Sequence, residues 1–273
     1  MAFDFAKAIA ESKKQSIALM AIILGQSGSG KSTLMGTLEA PTLHLHTTGE
    51  AHGAKSIRTK NGKSVPVCVD QESGKALSAD ESYGKILDIL GSTEQITGAK
   101  FKAVCLDGAS EIEAIIRSTS KWKQLCLSTS GKHNSYAEAS ATVTMFRPII
   151  NALKNLQTNH DINVVVSCIL DVRALGEYGE IEESSPKLLG YSVAESLIQQ
   201  FDDVLVVGKM KKGDTKKHMI QMLNDVTKTS KELNGTVKKT INYSPRVAGV
   251  LMENTPSYME ADLKEILKLK EGK

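Results

Sequence analysis

The eight residues Gly25-Gln-Ser-Gly-Ser-Gly30-Lys31-Ser32 carry the most specific chemistry in the chain. They match GxxxxGK[ST] at every fixed position, with an apolar run before them and a helical pattern after. Glycines in such a loop let the backbone wrap close to a polyphosphate, so that successive N–H groups point inward. Lys31 would reach the β- and γ-phosphates, and Ser32 would ligate Mg²⁺ through its hydroxyl. Gly25, Gln26, Ser27, Gly28, Ser29, Gly30 and Thr33 complete the binding loop, and a helix opening at Lys31 adds the positive end of its dipole. The pattern predicts binding of ATP or a similar nucleoside triphosphate with Mg²⁺. A glycine-rich turn with no ligand is the alternative.

A phosphate loop of this kind also needs a carboxylate to hold magnesium. Lys102-Ala-Val-Cys-Leu-Asp107 reads as an apolar strand ending in aspartate, which places Asp107 at the sheet edge where open α/β sheets bind ligands. Capping of the next helix is the other role open to Asp107. No acid follows it directly, so the water-activating group must come from elsewhere. Glu50, just past the second strand, is the candidate, with Glu72 and Glu111 in reserve and a solvated loop charge as the alternative. Ser167, at the end of a later apolar strand, could sense the γ-phosphate or serve the fold alone.

The elements that must position these residues can be read from hydrophobic spacing. Ile17–Leu24 is too short for a buried helix and suits a central strand. Further strands are expected at 42–48, where the run LHLHTT alternates, and at 65–70, 103–107 and 163–169. Helices are expected at about 31–39, from the capping box Ser78-Ala-Asp-Glu81 onward, at 110–127, to about 159 with Pro148 kinking it or marking its first turn, and at 192–201. Three β-like segments then follow without helices, at 204–209, 218–223 and 236–243, the first two joined by a hairpin turn at 211–215. A last helix follows Pro256, with Ser257-Tyr-Met-Glu260 as its capping box. Strands alternating with helices predict an α/β fold with a mostly parallel central sheet, an antiparallel β extension and a C-terminal helix. No linker or repeat divides the chain, so a helical arm over 1–16 and one domain over 17–273 are expected.

Composition removes other classes. The 273 residues are 41% hydrophobic with a net charge of +3, which excludes disorder as the dominant state. The longest apolar run has eight residues where a membrane span needs about twenty. Asp4, Lys7 and Glu11 interrupt any signal-peptide pattern. Cys68, Cys105, Cys126 and Cys168 form no CxxC pair and read as thiols in a reducing compartment, so a cytoplasmic location is expected.

Taken in order, these motifs resemble a family of short phage-encoded ATPases with a RecA-like phosphate-loop NTPase core, some of which anneal single strands or serve recombination. The resemblance runs from Ile17 to the C-terminus. It includes LHLHTTGE, VCLDGAS, the long helix leading into NVVVSCI, Pro186-Lys-Leu-Leu-Gly190, the strand beginning Phe201-Asp-Asp-Val, and Arg246 with a proline turn and a final helix. It implies hydrolysis of ATP, with Glu50 where a RecA-like core carries its catalytic glutamate. It also implies a homo-oligomeric ring or filament in which a neighbour's basic residue completes the site; Lys209, Lys211, Lys216, Lys217 and Arg246 are the candidates. Phe3-Asp-Phe-Ala6 and Phe5-Ala-Lys-Ala8 look like the Phe-x-x-Ala docking element of some relatives, or like an ordinary amphipathic helix. Ser167-Cys168 departs from the polar Gln or His often found at the sensor position.

Three basic clusters could meet nucleic acid: Lys55, Arg58, Lys60 and Lys63; Arg117, Lys121, Lys123 and Lys132; and Lys209–Lys217. The second is interleaved with Trp122, which could stack on a base of single-stranded DNA. Aromatics are sparse, and the charged loop at 171–189 is rich in acids, which weighs against a broad binding platform. A motor acting on a protein partner, a nucleotide-binding subunit with slow turnover and, less so for want of an arginine-rich lid, a small-molecule kinase are the other readings of the same residues.

Overall fold

Met20–Gly25 forms strand β1, buried along its whole length as an unbroken apolar run ended by glycine predicts. The computed structural model describes residues 18–61, 63–175, 181–212, 215–222, 231–233, 236–242, 258–260 and 262–270. After β1 come α1 (Lys31–Met35), β2 (Thr42–His46), a 3₁₀ turn (Thr48–Glu50), α2 (Ala51–Asn61), β3 (Ser64–Cys68) and a small hairpin of β4 (Gln71–Glu72) and β5 (Lys75–Ala76). Then follow α3 (Ala79–Gly91), α4 (Thr93–Gly98), β6 (Ala103–Asp107), α5 (Ala109–Ser118), α6 (Ser120–Leu125), α7 (Glu138–His160), β7 (Asn163–Leu175) and β8 (Ile181–Pro186). The chain continues through α8 (Gly190–Ile198), β9 (Asp203–Lys212), β10 (Thr215–Met222), β11 (Lys231–Leu233), β12 (Thr236–Asn242), β13 (Tyr258–Glu260) and α9 (Leu263–Lys270).

The fold is α/β with a mostly parallel central sheet. Its parallel strands lie in the order β3-β2-β6-β7-β1-β9, and β10 and β13 extend it antiparallel beyond β9. Successive residues of a strand face opposite sides of the sheet, and here both sides are apolar. Ile22, Leu24, Leu45, Val104, Leu106 and Val166 pack beneath the helices α3 to α8. Ala21, Ile23, Ala103, Cys105, Val165 and Leu205 pack beneath α1, α2 and α9 through Leu34, Met35, Ile57, Leu263 and Ile266. Because the core strands are parallel, their C-terminal ends point the same way, and the loops after β1, β2 and β6 leave the sheet at one edge.

Several elements differ from expectation. Helix α1 stops at Met35, because Gly36 and Thr37 are weak helix formers and the Thr37 hydroxyl turns back to the Leu34 carbonyl at 2.7 Å. The helix expected over 110–127 is broken at Thr119, whose side chain caps α6 by accepting the Trp122 N–H. Helix α2 had no amphipathic signal, since its residues AHGAKSIRTKN hold few apolar side chains. The expected charged loop at 171–189 instead contains the end of β7 and β8, paired antiparallel from Leu170–Pro186 to Leu175–Ile181. Strand β12 joins β8 in parallel and so lies away from the β9–β10 extension. Tyr258–Glu260 is β13 rather than a capping box, and the final helix starts at Leu263, with the Asp262 side chain accepting the Lys264 N–H.

The capping box on α3 forms as read, with Ser78 and Glu81 exchanging hydrogen bonds. Pro148 lies inside α7. All four cysteines are free thiols, Cys68 half-buried and the others buried. Among the described residues no helix is long and apolar enough to cross a membrane. The arm at 1–16, with Phe3 to Ala8, and Arg246 lie outside the described residues.

Candidate functional site

The loop from Gly25 to Gly30 joins β1 to α1 and lines an open cleft of about 490 Å³. Ser27, Gly28, Gly30, Lys31, Ser32 and Thr33 form one wall, and Gly49, Glu50, His52 and Gly53 the other, with Ile169 of β7. Gly28 and Gly30 take φ of 71° and 102°, the left-handed region that glycine enters without strain, and open space lies before Gly28. The loop is tied to β7 by the Gln26 side-chain N–H, which donates to the Leu170 carbonyl at 3.0 Å. Lys31 is buried, and its ammonium donates to the carbonyls of Gly25 at 2.9 Å and Gln26 at 3.2 Å.

Asp107 ends β6, fully buried beside the first turn of α1. Its Oδ1 accepts the Ser167 hydroxyl at 2.5 Å, its Oδ2 lies 3.2 Å from Nε2 of His44, and the Ser32 hydroxyl also bonds the carboxylate. Burial alone would push the Asp107 carboxyl up, but the hydrogen bonds from His44, Ser167 and Ser32 outweigh it and hold the group below the usual aspartate value. Asp107 is therefore an ionised carboxylate in contact with a serine hydroxyl. Those two oxygen donors could hold Mg²⁺, which keeps several waters and needs few protein ligands. The helix-cap alternative fails, because Gly108, with φ of 96°, is the N-cap of α5 and Asp107 turns toward Ser32 instead.

Glu50 stands at the cleft on the 3₁₀ turn after β2, half-buried against Gly108. Asp70 fixes that turn by accepting both the N–H and the hydroxyl of Thr48 at 2.8 Å. Burial, then the charges of Asp107 and Glu111, push the Glu50 carboxyl up from the ordinary glutamate value, and Lys31 pulls the other way. Of the reserve acids, Glu111 accepts a hydrogen bond from the Thr47 hydroxyl and backs the turn behind Gly49, while Glu72 is exposed on β4.

Ser167 does not face the cleft. It is fully buried, and its hydroxyl donates to Asp107 while accepting the Gly108 N–H at 2.8 Å. Of the two roles read for Ser167, these contacts are those of the second, service to the fold: its hydroxyl holds Asp107. Sequence reading missed His44, Thr47, Gly53 and Asp70. The alternation in LHLHTT held a signal for the first: His44 and His46 share a sheet face, and the register His44↔Cys105, His46↔Asp107 puts Asp107 on that face too.

The Arg117–Lys132 cluster lies on the other side of the sheet, with the helices α5 and α6. Lys121, Lys123 and Lys132 are exposed. Trp122 is corrected: only 6% of it is exposed, its indole N–H donates to Thr142 at 2.9 Å, and Arg117 covers the ring at 5.5 Å while reaching Glu138 at 3.7 Å. A ring so covered cannot stack on a base. The exposed aromatic here is Tyr136, 96% accessible, beside a turn closed by the Leu127–His133 bridge. Lys55 and Lys63 are exposed near α2; the side chains of Arg58, Lys60, Lys209, Lys211, Lys216 and Lys217 lie outside the description.

No protein-family model matches this chain, and no curated protein matches it.

Proposed function

We propose that this protein is a RecA-like phosphate-loop ATPase that binds ATP with Mg²⁺, hydrolyses it and acts on single-stranded DNA. The observation that carries the reading is that Lys31, Ser32 and Glu50 line one cleft, with the buried carboxylate of Asp107 behind Ser32. On binding, the Lys31 ammonium exchanges the Gly25 and Gln26 carbonyls for β- and γ-phosphate oxygens, and the loop N–H groups surround the phosphates. Ser32 and Asp107 would hold Mg²⁺, which would supply positive charge against that developing on the phosphates. Glu50 orients a water and takes its proton while the water oxygen bonds to the γ-phosphorus and the bond to ADP breaks. Its raised proton affinity suits a group that must accept a proton near neutral pH. Among the described residues lining the cleft, Lys31 is the one lysine or arginine, so a basic residue from a neighbouring copy fits a ring or filament.

The DNA reading rests on the exposed lysines Lys121 and Lys123 of α6 and Lys132 in the segment after it, together with the exposed ring of Tyr136. A protein-directed motor is the second reading, favoured by Leu125 and Leu127, 41% and 49% exposed on the same surface. Steady-state ATP hydrolysis with and without single-stranded DNA at two salt concentrations separates them, with Lys31→Ala as control. Turnover that DNA stimulates and salt suppresses supports the first reading. Turnover indifferent to DNA supports the second, and turnover unchanged in Lys31→Ala removes both.

A further inference from the structure

We infer that His44 is a positioning residue for the Asp107 carboxylate, and through it sets the affinity of the site for magnesium; the inference rests on the proposed nucleotide site. His44 is fully buried on β2, one strand from Asp107, and its Nε2 lies 3.2 Å from Asp107 Oδ2. Its Nδ1 has no hydrogen-bond partner among the described residues. That fixes the tautomer. A proton on Nδ1 would leave a buried N–H unpaired and aim the Nε2 lone pair at a carboxylate, whereas a proton on Nε2 makes a charge-assisted bond to Oδ2. His46, 5.4 Å away ring to ring, uses its Nδ1 on the Thr47 carbonyl and leaves Asp107 to His44.

The two oxygens of Asp107 are thus held separately, Oδ1 by Ser167 and Oδ2 by His44. Two donors on opposite oxygens stop the carboxylate from rotating about its Cβ–Cγ bond. When the Ser32 hydroxyl turns from Asp107 toward a cation, these two bonds remain and keep the carboxylate ionised and aimed. Outer partners of this kind typically change metal affinity about 10–100-fold when removed.

The test is a magnesium titration of fluorescent ATP-analogue binding to the full chain in wild type, His44→Leu, His44→Gln and His44→Asn, with thermal melting of each. Glutamine places an N–H donor at the same distance along the side chain as Nε2, and asparagine falls one atom short. The expected result is a half-saturating magnesium concentration raised about 10–100-fold in the leucine and asparagine variants. The glutamine variant stays near wild type, and nucleotide affinity without magnesium is unchanged in all. A leucine variant that titrates as wild type, or glutamine and asparagine variants that lose magnesium equally, would overturn the inference. If the leucine variant does not fold, the glutamine–asparagine pair decides alone. Wild type that binds the analogue with no magnesium dependence fails the nucleotide reading itself, and takes this inference with it.

Discussion

Gly53 of α2 lies directly over Ser32. A methyl group at Gly53 would overlap the Ser32 hydroxyl, stand 2.8 Å from the Ser32 Cβ and come within 3.1 Å of Asp107 Oδ2. Helix α2 can therefore approach the Ser32–Asp107 pair this closely only with glycine at that position. By propensity alone, alanine should favour the helix by roughly 0.5–1 kcal/mol. In this place it must push Ser32 out of line.

The expected outcome for Gly53→Ala is a melting temperature close to wild type together with magnesium-dependent ATP binding weakened on the order of tenfold or more. Calorimetric titration with and without magnesium reads the second quantity. Binding at wild-type strength would mean that the Ser32–Asp107 pair does not hold the cation.

Glu50 gives a prediction in both rate and stability. Its carboxyl is pushed up by burial and by the neighbouring carboxylates, so the folded protein holds that proton more tightly than the unfolded chain. Below the ordinary glutamate value both states are protonated and the group is neutral to stability. As pH rises from there through the folded value, the unfolded state releases its proton first and stability is lost. Glu50→Gln removes that loss, so its melting temperature should exceed wild type at pH 7 and converge with it in acid. The same variant should bind ATP normally and turn it over about 10²–10⁴-fold more slowly. A variant with wild-type turnover would transfer the role to Glu111, which borders the same turn.

The parts of this molecule legible in the sequence are those where one local signal suffices. An apolar run ended by glycine gives β1, Ser78 and Glu81 give the start of α3, and the strand ending in Asp107 gives β6. Elements fixed by tertiary pairing were not legible. Strand β8 reads as a charged loop because its residues IEESSP carry acids, yet it is paired on both sides, to β7 and β12. Helix α2 is polar over most of its length and is held by the packing of Ile57 on the α1 face. At the site, the loop and Asp107 follow from motif spacing. The partners of Asp107 do not, because His44 and Ser167 are brought to it by strands 63 and 60 residues away in sequence. Burial of Trp122 was hidden for a related reason: its basic neighbours suggest a surface, and only packing on Thr142 and Arg117 shows the ring turned inward.

That inward turn makes the single tryptophan a negative control for the DNA reading. Trp122 packs in the core cluster with Met145 and Ile116, so Trp122→Ala should cost about 3–5 kcal/mol of stability. Trp122→Phe keeps most of the apolar contact and loses the bond to Thr142, about 1 kcal/mol. Because the ring is buried, oligo-dT should leave its fluorescence maximum in place. The surface residues should respond instead. Tyr136→Ala should weaken binding of labelled oligo-dT by about 1–3 kcal/mol if the tyrosine stacks on one base. Changing Lys121, Lys123 and Lys132 together to glutamine should flatten the dependence of affinity on salt, with each lost phosphate contact lowering the slope by about 0.7 for a single strand. Fluorescence anisotropy across a salt series measures both effects. Affinity and salt slope unchanged in all these variants would place any DNA contact elsewhere on the molecule and leave the Leu125–Leu127 surface to a protein partner.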